Sequence, residues 1–242
     1  MAIIKAVLKF HGQDIESVEA KEKIYKLGCI AHYFGQGKVG SAFDVAASTY
    51  GGAVLYKRFD PKWLVKELES GKTVKEVVEE KWDAFEATPL ELPEDFILCV
   101  GFVGYGASTK ALVVKMRDFK ASNEARYNEI YGGIKKVVEN LIEAIKQKDK
   151  EKIMQSIKEN RVLLKQLAEE SGNNLETAEL TKLIESANSA GAAAKFSGAG
   201  AGDCGIAICF DKETQQKVRK GWSDSGIYPI ETKVAFHKAL AA

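Results

Sequence analysis

Histidine, cysteine and proline are all scarce in this 242-residue chain, with 3, 4 and 4 of each. The histidines stand at 11, 32 and 237, too few and too scattered for a histidine-rich metal site. Cys29, Cys99, Cys204 and Cys209 form no CxxC pair, and two of them, Cys99 and Cys209, lie inside apolar runs. All four are therefore expected as reduced thiols in a reducing cytoplasm, not as a disulfide frame. Charge of one sign is lacking too. Lys+Arg number 35 and Asp+Glu 34, a net +1, so there is no electrostatic footprint for nucleic acid or an anionic membrane. No apolar run approaches the roughly 20 residues of a membrane span. The N-terminal MAIIKAVLKFHGQDIE is broken by Lys5 and Lys9 and has no signal-peptide cleavage pattern. Internal repeats and low-complexity tracts are absent.

What remains is an ordinary globular balance, 45% hydrophobic and 29% charged. The length allows one large domain or two modest ones. Residues 2–10 have a helical period with Ile3, Ile4, Val7 and Leu8 on one face, but no capping residue precedes them. Two expectations fit that start: a frayed first helix, or a segment that normally precedes it. Residues 14–34 read as a second helix, 35–41 as a glycine-rich turn, 42–50 as a short helix and 53–59 as a strand. Residues 60–82 read as a charged helical excursion with Val74, Val77 and Val78 on one stripe. Two of the prolines and several acids mark 83–94 as a domain boundary, giving domains 1–90 and 91–242.

The apolar run Phe96–Val103 is the strongest strand, followed by a polar, flexible stretch at 104–110. Three helices are expected next, the first capped by Ser122, the second over about 149–170 and the third over about 175–190. Then come a strand ending at Phe196, a glycine loop at 197–205, a strand at 206–210, a helix at 211–223 and a last strand at 228–236. That order suits an α+β sandwich with helices on one face of a mainly antiparallel sheet.

Three segments carry chemistry. In Phe196-Ser-Gly-Ala-Gly-Ala-Gly-Asp-Cys-Gly205 the alternating glycines permit positive φ and let backbone amides turn on an anion. A dinucleotide fingerprint fails here, because its third glycine would fall on Asp203 and the loop runs into a strand. A Walker A loop fails because no Gly-Lys-Ser/Thr follows. Ser197, Gly198, Ala199, Gly200, Ala201, Gly202 and Asp203 are thus expected to face a phosphate or substrate, the alternative being a tight turn between strands. In Gly35-Gln-Gly-Lys-Val-Gly-Ser-Ala-Phe-Asp44, Lys38 can neutralise a phosphate and Asp44 can orient or deprotonate a hydroxyl. Equally, Ser41 or Asp44 can cap the helix that follows. In Gly106-Ala-Ser-Thr-Lys110, a turn capped by Ser108 or Thr109 stands beside anion binding.

GQGKVGSAFDVAASTYGG, KFSGAGAGDCGIAI and the ASTK segment at 107–110 together resemble the plant, fungal and archaeal type of the phosphomevalonate kinase family, within the GHMP kinase superfamily. The likeness runs over nearly the whole chain. It implies a two-domain α+β fold with the active site between the domains and a ferredoxin-like C-terminal sandwich. It also implies ATP-dependent phosphorylation of mevalonate 5-phosphate, with Mg²⁺, to the 5-diphosphate. By motif position Asp44 matches the family's catalytic aspartate, acting by positioning and charge stabilisation. Lys38 and Ser41 become candidates for the substrate's phosphate, Ser108, Thr109 and Lys110 weaker ones, and 197–203 the loop that closes over the transferring phosphoryl. The family also carries a lysine-bearing strand and a glycine-serine loop around the ATP phosphates, neither of which is in these 242 residues. The expectation is therefore an N-terminally truncated kinase with an incomplete first domain and very little activity. Another kinase of the superfamily, for mevalonate or a sugar, and a non-catalytic relic that binds substrate remain beside it.

Overall fold

The computed structural model describes residues 1–38, 40–106 and 109–235, with the side chains of Thr109 and Lys110 outside the description. The chain divides into two compact units, one built on Met1–Glu91 and the other on Leu92–Val234.

The first unit opens with α1 (Ala2–Phe10), capped by no side chain. Ile3, Val7 and Phe10 of this helix are exposed. Helix α2 (Val18–Gly35) begins four residues later than its periodicity suggests, because the Ser17 hydroxyl accepts from the Ala20 amide and fixes the first turn there. Next come α3 (Phe43–Tyr50), β1 (Ala53–Lys57), α4 (Pro61–Glu69) and α5 (Val74–Glu79). The excursion at 60–82 is thus two helices, the first started by Asp60 with Pro61 at its first position, the second by a Thr73/Glu76 capping box. Val77 and Val78 are buried, whereas Val74 is exposed.

The expected linker at 83–94 contains a strand. β2 (Glu86–Leu90) pairs antiparallel with β1, Val54 opposite Pro89. A two-stranded sheet leaves each strand an open side, so the missing proline N–H costs no ladder bond. Tyr25, Cys29, Phe59, Leu64, Val77 and Trp82 form the core of this unit. The buried Lys26 ammonium donates to the carbonyls of Val78 (3.2 Å) and Glu80 (2.8 Å), satisfying the end of α5, and pairs with Glu22 at 2.7 Å.

The second unit starts with β3 (Ile97–Phe102) and continues with α6 (Thr109–Ser122), α7 (Glu124–Lys146), α8 (Lys150–Glu170) and α9 (Ala178–Ser189). Four helices stand where three were expected. The additional one, α6, carries Leu112, Met116 and Phe119 at helical spacing, and these pack inward. Asn123, not Ser122, caps α7, since Ser122 closes α6. Asp149 and Thr177 cap α8 and α9.

Then follow β4 (Ala193–Phe196), β5 (Cys204–Cys209), α10 (Lys212–Asp224) and a last strand β6 (Tyr228–Ile230), far shorter than the expected 228–236. The sheet order is β4-β5-β3-β6, antiparallel throughout. A βαββαβ order with the first strand between the third and fourth is the ferredoxin-like topology, so the α+β expectation holds.

Leu180, Leu183, Ile184 and Ala187 of α9, with Val218 and Trp222 of α10, cover the sheet face that carries Cys99 and Ala207. Gly101 and Gly205 are directly paired, and a Cβ on either would come within 2.9 Å and 2.5 Å of Leu183. Side chains are absent at that pair because the helix seats directly on the backbone. The Trp222 indole N–H donates to the Leu183 carbonyl at 2.8 Å and locks the two helices together. All four cysteines are free thiols. Among the described residues no helix is long and apolar enough to cross a membrane.

Candidate active site

The first cluster lies where α2 hands over to α3. The chain leaves α2 through amides of Gln36, Gly37 and Lys38, which bond back to His32, Phe34 and Tyr33. Gly37, Lys38, Gly40 and Ala42 all have positive φ, of 71°, 63°, 109° and 61°. Two of these are not glycine, so the loop stores backbone strain that its surroundings must offset. One such surrounding contact is visible. The Tyr56 hydroxyl of β1 donates to the Ser41 carbonyl, tying the loop to the strand.

Neither Ser41 nor Asp44 caps α3. The capping position is Ala42, without a side-chain hydrogen bond. The first amides of α3 therefore have no acceptor among the described residues, and the helix presents its positive dipole end bare. Asp44 sits in that first turn, 58% exposed, its Oδ2 3.7 Å from His32 Nδ1. Lys38 is exposed, its ammonium 5.8 Å from the Phe34 ring. Behind the cluster, burial pushes the Cys29 thiol up to about 12 and the Tyr56 phenol likewise up to about 12. Cys29 is thus a neutral packing residue at neutral pH, not a nucleophile.

The second cluster is the glycine loop, Ser197 to Asp203. It is bolted at several points. Ser197 N donates to Cys204 O, Ala201 N to Leu175 O at 2.6 Å, and Asp203 N to Tyr105 O at 2.7 Å, while Asp203 O accepts from Val103 N. Gly200 and Gly202 are needed for packing. A Cβ on Gly200 would lie 2.3 Å from Leu175 O, and one on Gly202 2.7 Å from the Tyr105 ring. Gly198 differs, since it has φ +61° with open space where a Cβ would go. The exposed amides of Gly198 and Ala199 meet no acceptor among the described residues. The turn and the anion-facing readings thus share the segment, with the tip left open.

Supports of this loop escaped the sequence reading. Tyr105 donates to Glu179 at 2.7 Å, at the start of α9. Arg161 grips Glu176 in a fork of 2.9 and 2.6 Å next to Leu175. Burial alone would raise the Glu176 carboxyl, but the guanidinium holds it below the usual range. Lys195, one residue before the loop's strand ends, is pushed down to about 8 by burial, and its ammonium donates to Phe196 O at 2.8 Å. No periodicity or spacing signals these, because the Tyr105 and Arg161 contacts join residues 74 and 15 positions apart and the shift of Lys195 comes from burial by the folded chain.

Of the remaining expected residues, Ser108 lies outside the described residues, and Thr109 and Lys110 open α6 with their side chains undescribed. Lys38, Ser41 and Asp44 fall together in the first unit, and residues 197–203 in the second. Among the described residues no group of three or more His, Cys, Asp or Glu could hold a metal.

Residues 141–227 match the family of GHMP kinases C terminal. Over 233 residues the chain is 30% identical to a phosphomevalonate kinase of Streptomyces sp. (strain CL190), covering 95% of this chain and 60% of that protein. The structure of a Lin0012 protein from Listeria innocua is similar with a TM-score of 0.85 and 33% identity, over 98% of this chain and 63% of that one. Streptococcus pneumoniae phosphomevalonate kinase, solved with phosphomevalonate and AMPPNP, is similar with a TM-score of 0.75 and 27% identity, over 96% of this chain and 64% of that one. The chain thus spans about three fifths of the length of these relatives.

Proposed function

We propose that the chain is a kinase of the GHMP superfamily and serves the ATP-dependent phosphorylation of mevalonate 5-phosphate to mevalonate 5-diphosphate, a reading supported by the match of residues 141–227 to GHMP kinases C terminal and by the likeness to phosphomevalonate kinases. In this reading residues 1–90 and 91–242 belong to two domains, and the location is cytoplasmic, in keeping with four free thiols. The observation that carries the reading is the bare N-terminus of α3, with Asp44 in its first turn and Ser41 and Lys38 in the loop that leads to it. Uncapped helix amides and a lysine suit an acceptor that is already a phosphate.

In the reaction an acceptor phosphate oxygen attacks the γ-phosphorus of ATP, the bond to the β-phosphate oxygen breaks, and ADP leaves. That acceptor oxygen is largely ionised near neutral pH, so little proton abstraction is needed. The role of Asp44 is to orient it. Within the first unit Lys38 and the Ser41 hydroxyl hold the acceptor phosphate. Taken by itself, the glycine loop of the second unit carries at its tip, Gly198 and Ala199, amides suited to phosphate oxygens. The Mg²⁺ of this reading would neutralise charge on the nucleotide's phosphates. No step is assigned through it.

The test pairs calorimetry with ADP release under Mg²⁺ and excess ATP, using mevalonate 5-phosphate and mevalonate. Binding of the phosphorylated acceptor at least about tenfold tighter, with turnover confined to it, is the expected result. Preference for mevalonate would move the assignment to a mevalonate kinase, such as that of Thermococcus sibiricus, which is 28% identical to this chain. Neither binding nor turnover from a folded protein would overturn the reading.

A further inference from the structure

We propose that His32 is a positioning residue for Asp44, holding one carboxylate oxygen so that the other faces the acceptor; this rests on the kinase reading above. Among the described residues, His32 is the one titratable side chain seen paired with Asp44, with Nδ1 and Oδ2 3.7 Å apart. That is longer than a hydrogen bond, and a rotation of the exposed carboxylate would bring Oδ2 within reach of an N–H donor at the Nδ1 position. Asp44 is 58% exposed and caps nothing, so without His32 nothing described would fix its rotamer.

The ring itself is held. A Cβ on Gly40 would lie 2.7 Å from His32 Nε2 and 3.1 Å from Cδ2, so the loop backbone lies against the far edge of the imidazole. Only glycine leaves room there, and at φ +109° only glycine adopts the backbone readily. The imidazole is thus wedged between the Gly40 backbone and the first turn of α3. His32 also occupies the last turn of α2, where the helix dipole favours a cation. The side chain is 22% exposed, so most of the ring is packed against its surroundings.

The geometry gives the residue a job in phosphoryl transfer. An acceptor phosphate and a freely rotating carboxylate repel each other. A carboxylate with Oδ2 turned to an imidazole presents a single oxygen in a single place. Near-attack geometry is sensitive to displacements of about 1 Å, which can cost on the order of a hundredfold in rate. A purely structural role for His32, as a charge at the end of α2, would instead show as a loss of stability.

Three variants separate these roles. His32→Ala should lower kcat about tenfold or more while leaving KM for mevalonate 5-phosphate within about twofold. His32→Asn places an amide nitrogen where Nδ1 stood and should restore kcat to within about threefold of wild type. His32→Gln reaches the Nε2 position instead and should not. Unchanged kcat in His32→Ala overturns the proposal, as does an equal loss in all three that follows their unfolding midpoints. A readout free of activity accompanies these. In ¹⁵N spectra of the chain, Asp44→Asn should move the ring nitrogens of His32 and leave those of His11 in place. No shift at His32 overturns the pairing. A clear shift in a chain that turns over no acceptor overturns the kinase reading, and the role in transfer with it, while the pairing stands.

Discussion

Gly200 lies so close to the carbonyl oxygen of Leu175 that a Cβ at residue 200 would come within 2.3 Å of it. The same oxygen accepts the Ala201 amide at 2.6 Å. The glycine loop is therefore pressed against the chain that leads into α9, and the glycine at 200 answers to that backbone contact before it answers to any ligand.

Gly200→Ala should thus destabilise the fold by about 2 kcal/mol or more, because the clash is with backbone and φ is +71°. Gly198→Ala, at φ +61° in open space, should cost only about 1 kcal/mol. Urea unfolding of both variants checks the order. Equal losses would mean that the contact with Leu175 relaxes freely.

Asp44→Ala should leave stability within about 1 kcal/mol of wild type, since the carboxylate is exposed and caps no amide, and only its favourable place near the dipole is lost. On the proposed kinase function, turnover with mevalonate 5-phosphate should fall by a factor of about 10² or more. A cooperative loss of stability with turnover intact would reassign the residue to the helix.

Arg161→Met should cost about 3 kcal/mol, because it strands the Glu176 carboxylate, whose side chain is 2% exposed. Arg161→Met with Glu176→Leu should recover most of that loss. The pH sign follows from the depressed carboxyl. Its contribution is present above the ordinary 4.5 and is lost as pH falls through the lower folded value. Denaturation curves of wild type and Arg161→Met should therefore converge on acidification.

Lys195 moves in the other direction. Burial takes its ammonium from 10.5 to about 8, so between those values the unfolded chain binds the extra proton and this group's contribution to stability rises with pH. At neutral pH the buried charge is a net cost. Lys195→Met should accordingly be more stable than wild type near pH 7, by about 1 kcal/mol or more. The gap should narrow above pH 8. Comparing the two proteins at each pH cancels the opposite trend of Cys29, Tyr50 and Tyr56, each raised to about 12. A gap independent of pH would show that the ammonium reaches water.

Much of the architecture was legible along the chain because its causes are local. The stripe through Ile130, Val137 and Ile145 follows from a 3.6-residue period, and β3 from an unbroken apolar run. The alternating glycines at 197–203 announced positive φ, and the structure has it at Gly198, Gly200 and Gly202; the glycine-rich turn expected at 35–41 has it at Gly37 and Gly40. Capping, turn chemistry and amphipathic spacing each need only a few neighbouring residues, and those are written in order.

Tertiary structure decided what depends on partners far apart. β2 passed for a linker because its proline and acids suit one, yet pairing with β1 across some thirty residues makes it a strand. Along the chain Asp44 fits a cap as well as a catalytic role, and only the folded chain shows that α3 starts from Ala42 and that Asp44 caps nothing. His32 gave no signal, since its link to Asp44 and Gly40 exists only when α2 and α3 pack. Burial of Lys195 and the pressing of Leu175 on Gly200 are likewise products of packing. Periodicity reports which face of an element is apolar, but which groups meet, and at what distance, is set by close packing of side chains brought together from distant parts of the chain.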